Sequence, residues 1–536
     1  MHLSRRWSAL ACCLVLAIVH TWPLALDPGT HSRNDNADTQ LNEWIMAWVA
    51  HQLPRHPAAL FEANIFYPAH DVLAFSEPLI VPAVLGAPLA WAGGSPVLVY
   101  NLVLLTGLTL SAFVTCLVVE RWTGRLAAGL IAGSLFAFNT HTLHRLPHMQ
   151  ALHLYGLPIA LYALDWLVRT PSFRAALLLA AALAVMTYTS GYLFVFACVM
   201  TAVVVAMRWQ DWWPVKLPAA RAMAVAVIAS AIAILPVYLP YHRVAAEQHM
   251  VRTLDSVAEY SATPWSYVST TSRLHGWWGA GLVRDKVDSF FPGFVALALA
   301  GVAIAFAVRA RSADDALLRR RSWMLVAIAI TGAVLSLGTL TPIYGIAFGI
   351  FPPMQGLRAA ARFGNLYLMA IAILAGFGAA RIGRPWLAAA LVLAVNAESL
   401  HAPMKFLPYH GVPEVYSMLA TEPGPVVLVE QPFFPRWAIF QNGGYVLAST
   451  AHWRPLMNGY SGYTPESYQK YADSFWYFPE PGAIDAMKQA GVTHVMVHTE
   501  HFRQDRQAVL PILEKRGDFV LLGIGPNGVR LYKLTR

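Results

Sequence analysis

Hydrophobic positions in this chain fall mostly in long unbroken runs, not in alternation. Eleven runs approach or exceed the roughly 20 apolar residues that a membrane-crossing helix needs. They lie near 7–26, 96–119, 126–139, 151–168, 174–189, 191–207, 221–240, 291–308, 323–340, 363–380 and 385–400. The stretch 174–207 is broken only by Thr189-Ser190-Gly191, which predicts a tight helical hairpin. Arg5 and Arg6 precede the first run as in a signal peptide, but no small-residue cleavage site follows, so it reads as a helix. Past 400 the pattern changes. Residues 426–430 and 495–497 read as short buried strands, 483–490 as a helix stopped by Gly491, and 519–522 with 529–532 as a hairpin about Pro526-Asn527-Gly528. The pattern predicts an α-helical polytopic membrane protein of about eleven transmembrane helices over 1–400. A small extracytoplasmic α/β domain over 401–536 follows it.

Composition agrees with the pattern and narrows the class. The 536 residues are 57% hydrophobic and 12% charged, with a mean hydropathy of +0.48. Soluble domains carry about 25% charge, so an ordinary cytosolic enzyme, a disordered chain and a disulfide-stapled secreted scaffold are excluded. The net charge of +9 sits mostly in short loops between apolar runs. It therefore points to a membrane surface and not to nucleic acid. Cys12, Cys13, Cys116 and Cys198 all lie inside apolar segments without metal-type spacing.

Loop charge sets an expected orientation. With the N-terminus cytoplasmic, the loops 120–125, 169–173, 208–220, 309–322 and 381–384 are inside and rich in arginine. The loops 27–95, 140–150, 241–290 and 341–362 are outside, and eleven crossings leave the C-terminal domain extracytoplasmic. The expected location is the cytoplasmic (inner) membrane.

Candidate chemistry gathers in the outer segments. The long first loop 27–95 is acidic and opens with Asn34-Asp35-Asn36-Ala37-Asp38-Thr39-Gln40-Leu41-Asn42-Glu43-Trp44. Leu41 to Leu53 has Leu41, Trp44, Ile45 and Trp48 on helical spacing, which suits a helix lying in the membrane interface. Asp38 then reads either as its N-cap or as a general base at the water–membrane boundary. Asn64-Ile65-Phe66-Tyr67-Pro68 and Phe75-Ser76-Glu77-Pro78 follow, with Glu77 either satisfied by local amides or part of a site.

A second group is His141, His144, Arg145, His148, Gln150 and His153, a partly cationic rim suited to a phosphate or sugar. His144 and His148 are four apart, as in helical zinc sites, but Pro147 interrupts. A third is Arg358 and Arg362, also four apart, which reads as a phosphate clamp on one helical face or as snorkelling at a helix end. In the tail, the aromatic and glycine-rich run His452 to Tyr463 suits either sugar rings or a tight turn.

The early loop Asp, the interfacial helix, the many spans and the outer C-terminal domain together resemble the GT-C superfamily of integral-membrane glycosyltransferases. The residues that carry the resemblance are Asp38, Glu77, His148-Met149-Gln150 and Arg358/Arg362. More narrowly, Asp38 to Trp44, Asn64 to Pro68, Ser76-Glu77 and His452-Trp453-Arg454-Pro455 are similar to a group of bacterial membrane proteins of that type. The resemblance implies inverting transfer of a hexosyl or pentosyl group from a polyprenyl-phosphate donor to a lipid, glycan or protein acceptor. It implies Asp38 as catalytic base with Asp35 as runner-up, and Arg358 and Arg362 at the donor phosphate. Glu77, His144, Arg145, His148 and Gln150 complete the expected substrate-binding set. No cofactor is required by it, a divalent cation stays open, and no firm ligand set is visible. The oligosaccharyltransferase signature Trp-Trp-Asp-Tyr-Gly is absent, and Trp277-Trp278-Gly279 lacks its Asp. The alternatives are a lipid-linked glycan transporter or flippase, and a non-catalytic envelope-assembly protein. Transport needs ionisable groups deep in the spans; Asp165, the acidic residue well inside one, lies close to its inner end, polar groups concentrate at the outer face and no inverted repeat shows, which weighs against transport.

Overall fold

The computed structural model describes residues 2–33, 35–248, 252–283, 288–310, 312 and 315–535; Asn34, first in the acidic motif, lies outside them. Each of the eleven apolar runs lies on a helix: His2–His20, Pro96–Thr123, Leu126–Ala137, Gly156–Arg169, Phe173–Thr189, Gly191–Met207, Lys216–Glu247, Phe294–Arg309, Ala316–Ser336, Gly364–Ala379 and Pro385–Glu398. Among the described residues, four helical stretches are long and apolar enough to cross a membrane: Pro96–Thr123, Leu126–His144, Trp209–Glu247 and Ala360–Ala379. Five further apolar helices are shorter, at 10–17 residues. One of these, Ile80–Trp91, lies in the first outer loop, where no apolar helix was expected.

The chain divides into two compact units. The first comprises Met1–Pro28, Asn101–Tyr238 and Met250–Lys405. Its central helix is Gly364–Ala379, buried along nearly its whole length. It packs against Phe294–Arg309, Ala316–Ser336 and Leu126–Ala137. The predicted hairpin is present: Ser190 ends one helix, and its Oγ accepts the Tyr192 amide (3.2 Å) to cap the next. Asp165 is buried and held by arginines. Arg321 Nη2 donates to its Oδ2 at 2.6 Å, and Arg208, wholly buried, donates to its Oδ1. Arg208 and Arg320 also pair with Asp211 at 2.5 and 3.1 Å. Of the arginine run 319–321 that closes the loop 309–322, Arg320 and Arg321 thus make internal ion pairs, and Arg319 donates to the Ala310 carbonyl (2.9 Å).

The second unit comprises Gly29–Tyr100, Leu239–His249 and Phe406–Arg536. The first loop and the tail thus fall in one unit. Backbone pairing explains the grouping. The short strand β1 (His31–Ser32) runs antiparallel to β2 (Leu407–Pro408). Residues 64–67 pair with 454–458: Leu456 N donates to Asn64 O (2.7 Å), Phe66 N to Asn458 O (3.1 Å) and Tyr67 N to Leu456 O (3.0 Å). The tail contains the expected mixed sheet. β3 (Leu428–Gln431) is parallel to β4 (His494–His498), which pairs antiparallel with β6 (Val529–Leu534), and β6 with β5 (Phe519–Ile524). The order is β3-β4-β6-β5, with helix Pro481–Gln489 before β4.

Candidate functional site

In the second unit the helix Ala37–Gln52 carries Asp38. Its N-cap is Asn36, whose Oδ1 accepts the Asp38 amide at 2.8 Å. The capping role weighed for Asp38 thus belongs to Asn36, and Asp38 sits in the first turn, where the helix dipole favours a carboxylate. Asp38 is half-buried, and its Oδ1 accepts a hydrogen bond of 2.7 Å from Tyr460 Oη. Asp35, the runner-up, is exposed and paired with Arg33 at 3.1 Å.

The tryptophans of this helix do not form the exposed, lipid-facing stripe that was expected. Trp44 and Trp48 are 1% and 5% exposed, buried inside the unit, and Trp48 Nε1 donates to Leu60 O. The rings of Trp44, Trp48, His51 and Trp453 form a continuous ladder, with His51 stacked on Trp453 at 4.4 Å. His452-Trp453-Arg454 therefore docks the tail onto the Asp38 helix. Trp453 takes a left-handed backbone (φ 57°), as does Phe66 (φ 56°) in the paired segment. Such strain persists in bulky residues only where the surroundings over-determine it. Arg454 is held by the carbonyls of Leu419, Ala420 and Glu422. Burial, with Arg454 adding, pushes the His452 imidazole down to about 4, so the neutral ring accepts the Arg454 amide through Nδ1 (2.9 Å).

The turn that delivers Tyr460 passes very close to the loop. A side chain at Gly459 would meet the Phe66 ring at 2.5 Å, and one at Gly462 the Phe75 carbonyl at 3.0 Å. Glu77 is half-buried in the adjoining coil, beside Ser76, whose carbonyl accepts from Tyr241. Asp71 and Arg243 form a bidentate pair at 2.7 and 2.8 Å, fixing this loop to the end of helix Lys216–Glu247.

Five residues past Asp38, Glu43 has the opposite surroundings. It is fully buried, Ser32 Oγ donates to Oε1 (2.6 Å), and Oε2 has no hydrogen-bond partner. Burial pushes its carboxyl up to about 8 against the Ser32 bond, so it is neutral at pH 7.

The histidine group and the arginine pair both lie in the first unit. Asn139 caps the short helix Thr140–His144. That helix ends at His144, and His148 instead caps a separate turn, Met149–Ala151, so the zinc-like spacing is not realised on one helix. Arg145 is ion-paired with Asp288, and His141 Nδ1 lies 3.4 Å from the same oxygen. Burial raises the Asp288 carboxyl, but His141 and the Arg145 charge outweigh it and hold the group well below the usual carboxylate range. Sequence reasoning missed Asp288, which offsets part of the rim's positive charge. His144 Nε2 lies 2.6 Å from Thr271 Oγ1, His153 Nε2 lies 3.2 Å from Val103 O, and Gln150 Oε1 is buried without a partner.

Arg358 and Arg362 do not share a helical face. Residues 357–359 are not helical, and a 3-10 turn, Ala360–Phe363, follows. Both guanidinium groups lie over tyrosine rings at 4.4 Å, Arg358 on Tyr260 and Arg362 on Tyr192. Tyr192 Oη accepts the Arg358 and Ala359 amides, each at 2.9 Å, and so ties the loop to the ring beneath Arg362. Arg362 is within electrostatic reach of His141, so the two predicted groups of the first unit adjoin. Among the described residues, no three or more His, Cys, Asp or Glu side chains converge as metal ligands would.

This architecture shares its fold with a solved membrane glycosyltransferase, in keeping with the resemblance. Its solved neighbours include the arabinofuranosyltransferase AftD from Mycobacteria, aligned over 99% of this chain with a TM-score of 0.60 and 16% identity. A mutant form of AftD gives 0.62 and 17%, again over 99% of this chain. The chain spans about two fifths of AftD's length, 40% and 41% in the two structures. At this identity the likeness concerns the fold. No family model matches the sequence, and no curated protein matches it in sequence.

Proposed function

We propose that this chain is an inverting membrane glycosyltransferase. It transfers a sugar from a polyprenyl-phosphate donor to an acceptor on the outer side of the cytoplasmic membrane, with Asp38 as general base. The observation that carries the reading is the setting of Asp38 on a GT-C fold: first helical turn, half-buried, carboxylate oriented by the Tyr460 hydroxyl. In this reading the acceptor hydroxyl gives its proton to the Asp38 carboxylate as its oxygen bonds to the anomeric carbon. The bond from that carbon to the phosphate oxygen breaks on the opposite face, and the polyprenyl phosphate leaves with the electron pair. Configuration at the anomeric carbon inverts. Arg358 and Arg362, planar and prepositioned on tyrosine rings, would take the phosphate charge. Glu77, His144, His148 and Gln150 would hydrogen-bond sugar or acceptor. No step is assigned to a metal.

Transport gains nothing from Asp165, the acid inside a predicted span, because Arg208 and Arg321 engage it. The test is sugar release by the purified chain in detergent from radiolabelled polyprenyl-phosphate sugars, together with the anomeric configuration of the product. Release with inversion is the expected result. Donor binding without release from any donor would overturn the reading in favour of transport or assembly.

A further inference from the structure

The second unit contains a cavity of about 490 Å³, lined by Glu247, Gln248, Glu466, Ser467, Lys470 and Tyr471. We propose that it seats the acceptor as a glycan without phosphate. The inference rests on the glycosyltransferase reading and names the substrate class of that reaction.

The volume lies within the range of small-ligand sites. Four of the lining residues sit on one helix, Glu466–Phe475, at i, i+1, i+4 and i+5, and so form one face of it. No aliphatic side chain lines the cavity, so a lipid tail would gain little there. Two carboxylates against one ammonium leave a net charge of −1 (two Glu, one Lys), which disfavours a phosphate. The same groups suit a polyol. The Ser467 hydroxyl and the Gln248 amide both donate and accept, the carboxylates accept from hydroxyls, and Lys470 donates. The Tyr471 ring supplies an aromatic wall, braced by stacking on Phe475 at 5.3 Å.

One turn ties this cavity to the proposed base. Tyr463 Oη donates to the Gln248 carbonyl (3.1 Å), and Tyr460 Oη donates to Asp38 (2.7 Å). Three residues of chain span at most about 11 Å between Cα atoms. One short turn therefore carries both tyrosines, one bound to the cavity wall and the other to the carboxylate.

The experiment applies the full chain, in detergent, to an array of immobilised neutral and amino-sugar oligosaccharides. Wild type is compared with Ser467→Trp, which fills the cavity, and Lys470→Ala, with unfolding temperatures measured for each. Retention by wild type, weakened at least tenfold in Ser467→Trp with folding intact, is expected. Inorganic phosphate should not displace the glycan. No retention on any glycan, equal retention by Ser467→Trp, or displacement by phosphate would overturn the proposal. If Ser467→Trp fails to fold, Lys470→Ala decides: weakened retention supports the site and unchanged retention overturns it. Donor turnover by wild type, measured in parallel, separates the two readings. Retention without turnover leaves the cavity proposal standing and removes the transfer reading, and turnover without retention does the reverse.

Discussion

Two aspartates in this chain have contrasting neighbourhoods. Asp165 is 2% exposed, and arginines from two other segments converge on it. Asp38 is half-buried in a first helical turn and oriented by a tyrosine hydroxyl. A buried carboxylate surrounded by guanidinium groups cannot exchange protons without unbalancing the charges beside it. A carboxylate oriented by a hydroxyl is the arrangement the proposed base requires. The difference teaches that depth in the bundle and charge alone do not mark the reactive acid. Asp165 sits in an ion-pair cluster that holds the bundle together, and the proposed chemistry is what Asp38 is tested for.

Asp165→Asn should sharpen this contrast most. It takes from the buried Arg321 the carboxylate it pairs with and leaves Arg208 only Asp211 of its two, at a cost of about 3–5 kcal/mol. Thermal unfolding in detergent should show a large loss of stability or of folded yield. Asp38→Asn should unfold close to wild type, and an equal loss in both would break the contrast.

Glu43 supplies the next test, on the Asp38 helix itself. Its folded pKa is about 8 against an ordinary 4.5. Between those values the folded state keeps a proton that the unfolded chain has lost. Stability therefore falls as pH rises through that window, by about 1.4 kcal/mol per pH unit at most from this group, and levels above it. Glu43→Gln should remove that slope, as read by unfolding temperature from pH 5 to 8.

Removal of either arginine should then act on the donor. Arg362→Ala is expected to raise the donor KM roughly tenfold or more, consistent with about 1.5–3 kcal/mol for a charged hydrogen bond. Acceptor KM should barely move. The smallest expected effect is that of Tyr460→Phe, a few-fold loss in kcat from about 1 kcal/mol of lost orientation, with donor affinity unchanged.

Much of the fold was legible in the sequence, because helices and hairpins depend on local pattern. All eleven apolar runs fall on helices, and β3, β4, β5 and β6 overlap the short apolar segments read as strands. What pattern could not reveal was long-range. The pairing of 64–67 with 454–458 joins segments about 390 residues apart, and no periodicity encodes it. The signal that existed was the presence of two unusual aromatic motifs, Asn64 to Pro68 and His452 to Pro455, which pair with each other.

The same distance hid Tyr460 from Asp38 and Asp288 from Arg145. Four-residue spacing misled twice, at His144/His148 and at Arg358/Arg362, because neither segment continues as a helix. The interfacial reading of Trp44 and Trp48 failed because Trp453 and the neighbouring helices cover what looked like a lipid-facing stripe.

The most direct test of the central claim is the turnover of Asp38→Asn on the donor that wild type uses, with folding verified. The account predicts a loss of about 10²- to 10⁴-fold in kcat, with donor affinity within about twofold of wild type. Turnover within about twofold of wild type would contradict it.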